Sequence, residues 1–232
     1  MAQAPSIPCV TVAFHDRSDR ARYVVATYAD QFDGRPRVLD CGCDRKLLLD
    51  LLQPKVAGLK YTGIDIGGTP DLVVNLDETA RLPFDDAAFD VIICTDVLEH
   101  LEHLHRTFDE LVRVTAPGGR LIISLPNCWN NLRGRIRRGR GTPRYYGLPP
   151  RPPEDRHRWF FNVEDTAAFM AAQCDRLPVR VVAMHANENP RPAVQRAVDH
   201  ALYPSRRRYL NRYAHSVWTL LEKSASPTPT AP

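Results

Sequence analysis

The sequence has little glycine at the place where a nucleotide-binding protein usually needs it. Residues 37–52, RVLDCGCDRKLLLDLL, are typical of a buried strand, a tight turn and a helix, and Gly42 is the single glycine among them. The Gly-x-Gly-x-x-Gly spacing that lets backbone N–H groups approach a pyrophosphate is absent. Asp40 and Asp44 flank the turn instead. Because two carboxylates would repel a pyrophosphate, the turn argues against a dinucleotide and favours a ligand with a positive charge.

Other features are missing as well, and each absence removes a class of protein. None of the six cysteines forms a Cys-x-x-Cys pair, so we expect reduced thiols and no metal site. No apolar run approaches the ~20 residues that cross a bilayer, so no membrane span is predicted. The first residues lack a basic segment followed by an apolar one, so no secretory signal is predicted. These absences favour a cytoplasmic protein, and none of them sets its oligomeric state.

What is present is the alternation of strands and helices. Short strands rich in Val, Ile and Leu recur along the chain, with amphipathic helical patterns between them. Such strands are typical of a parallel sheet that is covered on both faces, which predicts a doubly wound α/β fold. The predicted strands are RVLDCG, LKYTGIDI, DLVVNL, FDVIICTD, GRLIISLP, VRVVAMHA and AHSVWTLLEK, and the main predicted helices are KLLLDLL, VLEHLEHLHRTFDELVRVT, VEDTAAFMAAQC and RPAVQRAVDHAL.

The 232 residues are predicted to form one domain over residues 1–223. We expect an N-terminal helix within residues 17–36 and a disordered tail over residues 224–232. Residues 128–161 are rich in Arg, Gly and Pro and show no clear period, so they are interpreted as a lid insertion over the carboxyl edge of the sheet.

S-adenosylmethionine fits the charges around the turn. It carries a sulfonium, an ammonium and a ribose with two free hydroxyls, and it has no phosphate. Asp40 is expected to orient the ammonium, and Asp65, at the end of GID, to accept hydrogen bonds from the ribose hydroxyls. Asp77 is a candidate acceptor for the adenine amine, and Leu76 is expected to pack on the ring. Cys41, Gly42, Ile66 and Thr95 complete the predicted cofactor site.

Simpler interpretations of the same residues stay open. Asp40 follows an apolar strand and could cap the next helix. Asp77 and Leu76 lie in LDET, which is also typical of a turn with a helical cap.

Four motifs in order resemble those of class I S-adenosylmethionine-dependent methyltransferases. They are RVLDCGC, GIDI, LPFDDAAFDVIICTDVLEHL and LVRVTAPGGRLIISLPN, and the resemblance is greatest to the small-molecule branch that includes ubiquinone-type O-methyltransferases. The resemblance implies a seven-stranded sheet with a reversed final hairpin. This sequence departs from the family's Asp-x-Gly-x-Gly-x-Gly turn, because Asp44 and Lys46 stand where the family has its second and third glycines. Asp tolerates the left-handed backbone region, and Arg45 or Lys46 could partner the ligand's carboxylate.

Two histidines are candidate catalytic residues. His100 begins a predicted helix at the mouth of the pocket and could act as a general base on an acceptor hydroxyl. His157 lies in DRHRWFF, in the predicted lid over the methyl-donor side. For His100, a role in shaping the pocket alone stays equally open.

The function predicted from these residues is methyl transfer from S-adenosylmethionine to an oxygen, or in second place a nitrogen, of a small metabolite. The arginines from Arg133 to Arg144 favour an anionic acceptor. They also leave open an RNA methyltransferase that uses the lid, which is the minority interpretation because no RNA-binding domain is visible. A third interpretation is a non-catalytic binding protein of the same fold, which lost turnover together with its glycines.

Overall fold

One mixed sheet of eight strands runs through residues 7–139 and 157–225, which are the residues described by this computed structural model. The strands are β1 (Cys9–Thr11), β2 (Arg37–Cys41), β3 (Lys60–Asp65), β4 (Leu72–Val73), β5 (Phe89–Thr95), β6 (Thr115–Pro126), β7 (Val179–Glu188) and β8 (Ala214–Lys223). Their order across the sheet is β1-β7-β8-β6-β5-β2-β3-β4. Only β8 runs antiparallel to its neighbours, β6 and β7, so the reversed final hairpin is confirmed.

Helices cover both faces of the sheet. They are α1 (Arg17–Thr27), α2 (Leu47–Leu52), α3 (Leu104–Val114), α4 (Cys128–Arg137), α5 (Val163–Arg176), α6 (Ala193–Leu202) and α7 (Arg206–Tyr213), with 3₁₀ turns at Ala29–Phe32 and Leu98–His100. None of the described helices is both long and apolar enough to span a bilayer.

The central strands supply apolar side chains to both layers. Leu39 and Ile92 pack on one side of the sheet with α3 and α5. Their neighbours Val38 and Ile93 pack on the other side with α1 and α2. Alternate residues of a strand point to opposite faces, so a sheet buried on both sides needs continuous apolar strands. The doubly wound α/β prediction is confirmed.

Two features at the start of the chain differ from the sequence prediction. The sheet has eight strands rather than seven, because Cys9–Thr11 pairs in parallel with Ala186–Glu188 at the edge. A three-residue strand has too few residues to show a period, so no local signal marks it. The helix predicted within residues 17–36 ends at Thr27, and positive φ angles at Gly34 and Arg35 then turn the chain toward β2.

The segment predicted as one long helix around VLEHLEHLH is broken into two pieces. A 3₁₀ turn spans Leu98–His100, and α3 begins only at Leu104. The break is stabilised by a carboxylate from elsewhere in the chain, because Asp77 Oδ1 accepts the backbone N–H groups of Glu102 at 2.7 Å and His103 at 3.2 Å. An acid at a helix amino end satisfies donors that have no partner within the helix.

The predicted lid insertion begins as a helix rather than as an aperiodic segment. Helix α4 spans Cys128–Arg137, and residues 140–156 lie outside the described residues. A second arginine-rich helix that the sequence analysis did not assign, α7, follows Ser205 and contacts α4.

Asn127 joins the end of β6 to the chain that enters β8. Its side-chain nitrogen donates to the carbonyl oxygens of Asn211 and Ala214, each at 2.8 Å, and approaches that of Leu210 at 3.4 Å. The residue is buried, so these carbonyls would otherwise face the protein interior.

We therefore expect Asn127→Ala to lower the free energy of unfolding by about 1–3 kcal/mol, because it leaves buried carbonyls without a donor. The matched control is Asn131→Ala, one helical turn along α4 at an exposed position, which should change stability by at most about 0.5 kcal/mol. Urea unfolding followed by circular dichroism measures both. Equal stability of the two variants would show that the Asn127 side chain does not hold this junction.

Candidate active site

A cavity of about 500 Å³ opens at the carboxyl edge of the sheet. It lies beside β2 and β5, where the chain order reverses and where open α/β sheets bind their ligands. Its volume is within the range of small-molecule sites. The residues predicted from the sequence that line it are Asp40, Gly42, Asp65, Ile66, Leu76, Asp77, Thr95 and His100.

Asp40, at the end of β2, is a buried carboxylate with an unusual pKa. Its pKa is raised from 3.8 to about 6: burial is the main cause, a hydrogen bond from Tyr61 opposes the shift, and the nearby charge of Asp65 adds to it. The Tyr61 hydroxyl donates to Asp40 Oδ2 at 2.6 Å. A cation placed in the cavity would stabilise the ionised form of Asp40.

Asp65, at the end of β3, holds two loops together. Its Oδ2 accepts the N–H of Asp44 at 2.8 Å, and its Oδ1 accepts those of Ile66 at 2.7 Å and Gly67 at 3.1 Å. A carboxylate has about four acceptor positions, so it can still receive hydroxyl donors from the cavity.

The glycine missing from the first turn has a counterpart in the second loop. Asp44 and Lys46 both adopt the left-handed conformation, at φ 46° and φ 57°. Gly68, after β3, packs against them: a Cβ on Gly68 would lie 2.3 Å from the backbone oxygen of Asp44. Gly42 is equally constrained, since its Cβ would lie 2.4 Å from Val97 Cγ2. The close backbone approach is therefore shared between two loops.

Part of the positive charge beside the cavity comes from a helix that the sequence analysis did not connect with the site, in addition to Arg158. Arg17 and Arg20 of α1 line the cavity, whereas Arg45 and Lys46 do not. Arg17 Nη1 lies 2.7 Å from Asp44 Oδ2, and Lys46 is paired instead with Asp71 at 2.8 Å. Arginines near the capped start of a helix are common on solvated surfaces, so the sequence alone does not show that Arg17 and Arg20 reach the cavity. The packing of α1 in the structure shows it.

Asp96 is a further acid in the cavity wall that the sequence analysis did not single out. It follows β5 with a positive φ of 52°. Its carboxylate forms an ion pair with Arg20 and accepts the Ser124 hydroxyl at 2.7 Å. Asp96 therefore connects α1 to the ends of β5 and β6.

Asp77 has both of the roles that the sequence left open, a position in the cofactor cavity and a helix cap. It lines the cavity beside Leu76, and its carboxylate also caps the amino end of α3. Its second oxygen lies 3.7 Å from Arg158 Nη2.

The two candidate catalytic histidines lie side by side, although only His100 lines the cavity. Their ring centroids are 4.8 Å apart and the rings are nearly perpendicular. His157 Nδ1 lies 3.4 Å from Cys128 Sγ, at the start of α4. The backbone oxygen of Glu99 accepts the N–H groups of Arg158 at 2.8 Å and Trp159 at 3.2 Å, which holds His157 at this position.

Cys41 does not line the cavity. It is 1% exposed and packs within the apolar layer formed with α3 and α5. Its thiol is held in the neutral form because burial raises its pKa well above the usual value.

Glu99, His100 and His157 could together hold a metal ion. One ligand atom from each lies within 4.8 Å of the others, and His100 Nε2 is 3.7 Å from Glu99 Oε1. Two imidazoles and a carboxylate suit zinc and other divalent transition metals. The sequence analysis predicted no metal site, because these three residues do not follow a metal-binding spacing.

Residues 13–173 match a known family that is described as a methyltransferase domain. The match covers more than half of the chain, so this chain belongs to the methyltransferase-domain family. Membership implies S-adenosylmethionine as the cofactor, and the acids and hydrogen-bond acceptors of the cavity suit its ammonium and ribose.

Two curated relatives show the same family likeness. A probable S-adenosylmethionine-dependent methyltransferase of Mycolicibacterium smegmatis is 32% identical over 113 residues, which are 46% of this chain and 42% of that protein. A ubiquinone biosynthesis O-methyltransferase of Paracidovorax citrulli is 27% identical over 159 residues, which are 62% of this chain and 65% of that protein. The chain thus spans less than two thirds of the length of either relative.

Solved structures agree on the fold. The structure of a SAM-dependent methyltransferase from Archaeoglobus fulgidus superposes with a TM-score of 0.59 at 18% identity, and the match covers 90% of this chain and 96% of that one. At this level of identity the likeness establishes the class I α/β architecture.

The raised pKa of Asp40 predicts how stability depends on pH. An acid whose pKa is higher in the folded state than in the unfolded state stabilises the fold while it is protonated. The free energy of unfolding of the unliganded protein should therefore decrease by about 3 kcal/mol as pH rises from about 4 to above 6. Asp40→Asn should abolish that decrease.

Urea unfolding between pH 4 and pH 8 measures this effect. Asp50→Asn is the matched control, because Asp50 is exposed on α2 and should keep the parent's pH profile. The same slope in Asp40→Asn and in the parent would show that Asp40 titrates at its ordinary pKa.

Proposed function

We propose that this protein transfers a methyl group from S-adenosylmethionine to an oxygen, or in second place a nitrogen, of a small anionic metabolite. The observation that carries the proposal is one cavity whose wall combines the buried acid Asp40, several part-buried acids, three arginines and a histidine. That combination matches a ligand with an ammonium, a carboxylate and a diol, placed beside a group able to accept a proton.

In this proposal each part of the cofactor has a residue to bind it. Asp40 faces the ammonium and Asp65 the ribose hydroxyls. Arg20 is the cationic partner for the carboxylate, because it lies in the same wall beside Asp96. Leu76 packs on the adenine, and Asp77 retains acceptor capacity for its amine.

Bound S-adenosylmethionine supplies an electrophilic methyl carbon: the acceptor oxygen forms a bond to that carbon while the sulfur keeps the electron pair of the broken S–C bond. The protein's main contribution is to align the acceptor and exclude water. His100 is the proposed base that takes the acceptor's proton, and the carboxylate of Glu99, 3.7 Å from His100 Nε2, would stabilise the resulting imidazolium. His157 packs edge-on against His100 and orients it.

The lid assigned to residues 128–161 is proposed to select the acceptor by charge. Its described part includes Arg137 on α4 and Arg158 at the cavity wall. We place the enzyme in the cytoplasm, since its six cysteines are free thiols, as a reducing compartment requires.

The decisive experiment follows labelled methyl groups from S-adenosylmethionine into fractionated cell extract. Label in a small-metabolite fraction supports the proposal. Label in RNA would instead favour the RNA methyltransferase that uses the arginines of the lid. Cofactor binding by calorimetry without transfer to any fraction would favour the non-catalytic binding protein.

Asp40→Ala should weaken S-adenosylmethionine binding by roughly ten- to a hundredfold, because a charged hydrogen bond contributes ~1.5–3 kcal/mol. Titration calorimetry above pH 7, where Asp40 is ionised, measures the loss. Asp50→Ala removes an exposed carboxylate nearby and should keep the parent's affinity. Equal affinities in the two variants would remove Asp40 from the site.

His100→Ala should lower turnover by about a hundredfold or more while cofactor affinity changes little, since a lost general base typically costs that much. His103→Ala, at an exposed position three residues further, is the matched control and should keep normal turnover. The His100 variant should also lose the acid limb of the pH–rate profile. A change of only a few-fold would assign His100 to packing.

A further inference from the structure

Helices α4 and α7 contact each other and carry only positive charge. Their arginines are Arg133, Arg135 and Arg137 on α4 and Arg206, Arg207, Arg208 and Arg212 on α7, and neither helix contains an acid. These arginines do not line the cavity of the candidate active site.

Tyr213, at the end of α7, is the centre of this contact. Three guanidinium groups lie over its ring: Arg191 at 4.1 Å, Arg133 at 5.3 Å and Arg212 at 5.8 Å from the centroid. One guanidinium over an aromatic ring is stabilised by cation–π attraction. Three guanidinium groups around the same ring also repel one another, and nearby anions would offset that repulsion.

The two nearby carboxylates are already used. Glu188 Oε2 lies 2.7 Å from Arg191 Nη2, and Asp199 pairs with Arg191 Nη1 and accepts the Tyr213 hydroxyl. Within residues 7–139 and 157–225, neither Arg133 nor Arg212 forms an ion pair with a carboxylate.

The remaining described contacts of these two arginines involve no carboxylate, and Arg212 also hydrogen-bonds the Tyr213 hydroxyl. The described hydrogen bond of Arg133 is to Asn130 Oδ1, at 3.4 Å. Arg212 stacks on Tyr203 at 4.9 Å, and its Nε is buried with no acceptor among the described residues. A buried donor without an acceptor costs ~1–3 kcal/mol. Burial, chiefly, and the charges of Arg212 and Arg137 also lower the pKa of Arg133, as expected for neighbouring cations.

We propose that Arg133 and Arg212 form a binding site for a phosphate group at the contact between α4 and α7. Guanidinium groups bind phosphate through paired, charge-assisted hydrogen bonds, and a phosphate beside their terminal nitrogens would offset the repulsion between the two cations.

The site lies beside the mouth of the cavity. Arg133 is five residues beyond Cys128, a rise of ~7.5 Å along the helix, and Cys128 contacts His157. Trp129 and Ile136 on the same helix are 48% and 64% exposed. The phosphate can therefore belong to a soluble ester or to a phospholipid headgroup, because an apolar helix face with arginines is also suited to a lipid surface.

The test titrates the full chain with inorganic phosphate at constant ionic strength and follows the heat of binding. Arg133→Gln and Arg212→Gln should each weaken binding at least tenfold. Arg180→Gln is the control: it removes one charge at the opposite edge of the sheet, where Arg180 pairs with Glu222 at 2.9 Å, and it should keep the parent's affinity. Arg133→Lys and Arg212→Lys keep the charge and should give intermediate affinities, which separates lost recognition from lost folding.

Two further probes identify the source of the phosphate. Binding of inorganic phosphate without binding to phosphatidylglycerol vesicles supports a soluble ester, and binding to these vesicles but not to phosphatidylcholine vesicles supports a headgroup. Absence of binding to every probe, equal affinity in the glutamine variants, or binding to an RNA oligonucleotide alone would overturn the proposal. The outcome does not depend on methyl transfer, because neither arginine lies in the cavity.

Discussion

The carboxylate of Asp65 binds backbone N–H groups from two loops at once, and the geometry of the cavity depends on that arrangement. One oxygen accepts from Asp44, in the turn after β2, and the other from Ile66 and Gly67, after β3. Without it, each loop would have to find other partners for these backbone donors. Burial is the main cause of the raised pKa of Asp40, and the charge of Asp65 adds to it.

A close contact between the backbones of two loops needs a glycine at the point of contact, but the glycine can belong to either loop. In this protein the turn after β2 uses Asp44 and Lys46 in left-handed conformations, and Gly68 of the neighbouring loop provides the space. The charges of the turn are satisfied by Arg17 and Asp71. A turn with few glycines can therefore keep the close loop contact of a glycine-rich turn, because a glycine in the neighbouring loop provides the space.

The sequence predicted the parts of the structure that depend on local pattern. Continuous apolar strands, their order and the acids at their ends placed Asp40, Asp65 and Asp77 at one edge, because parallel strands end at the same edge of a sheet. The sequence could not place residues whose role depends on distant packing. Arg20 reaches the cavity only because α1 lies across β2 and β5, and Asp77 caps a helix that begins 27 residues later.

The backbone carbonyl of Glu99 helps to keep the two histidines in place when the neighbouring segment changes during evolution. It fixes Arg158 and Trp159 beside His100, while Cys128 fixes the start of α4 at the other side of His157. Because these contacts hold both histidines, an insertion or deletion between residues 139 and 157 would leave them in place. New acceptors can then be accommodated by insertion or deletion in that segment, with the methyl-transfer geometry inherited unchanged.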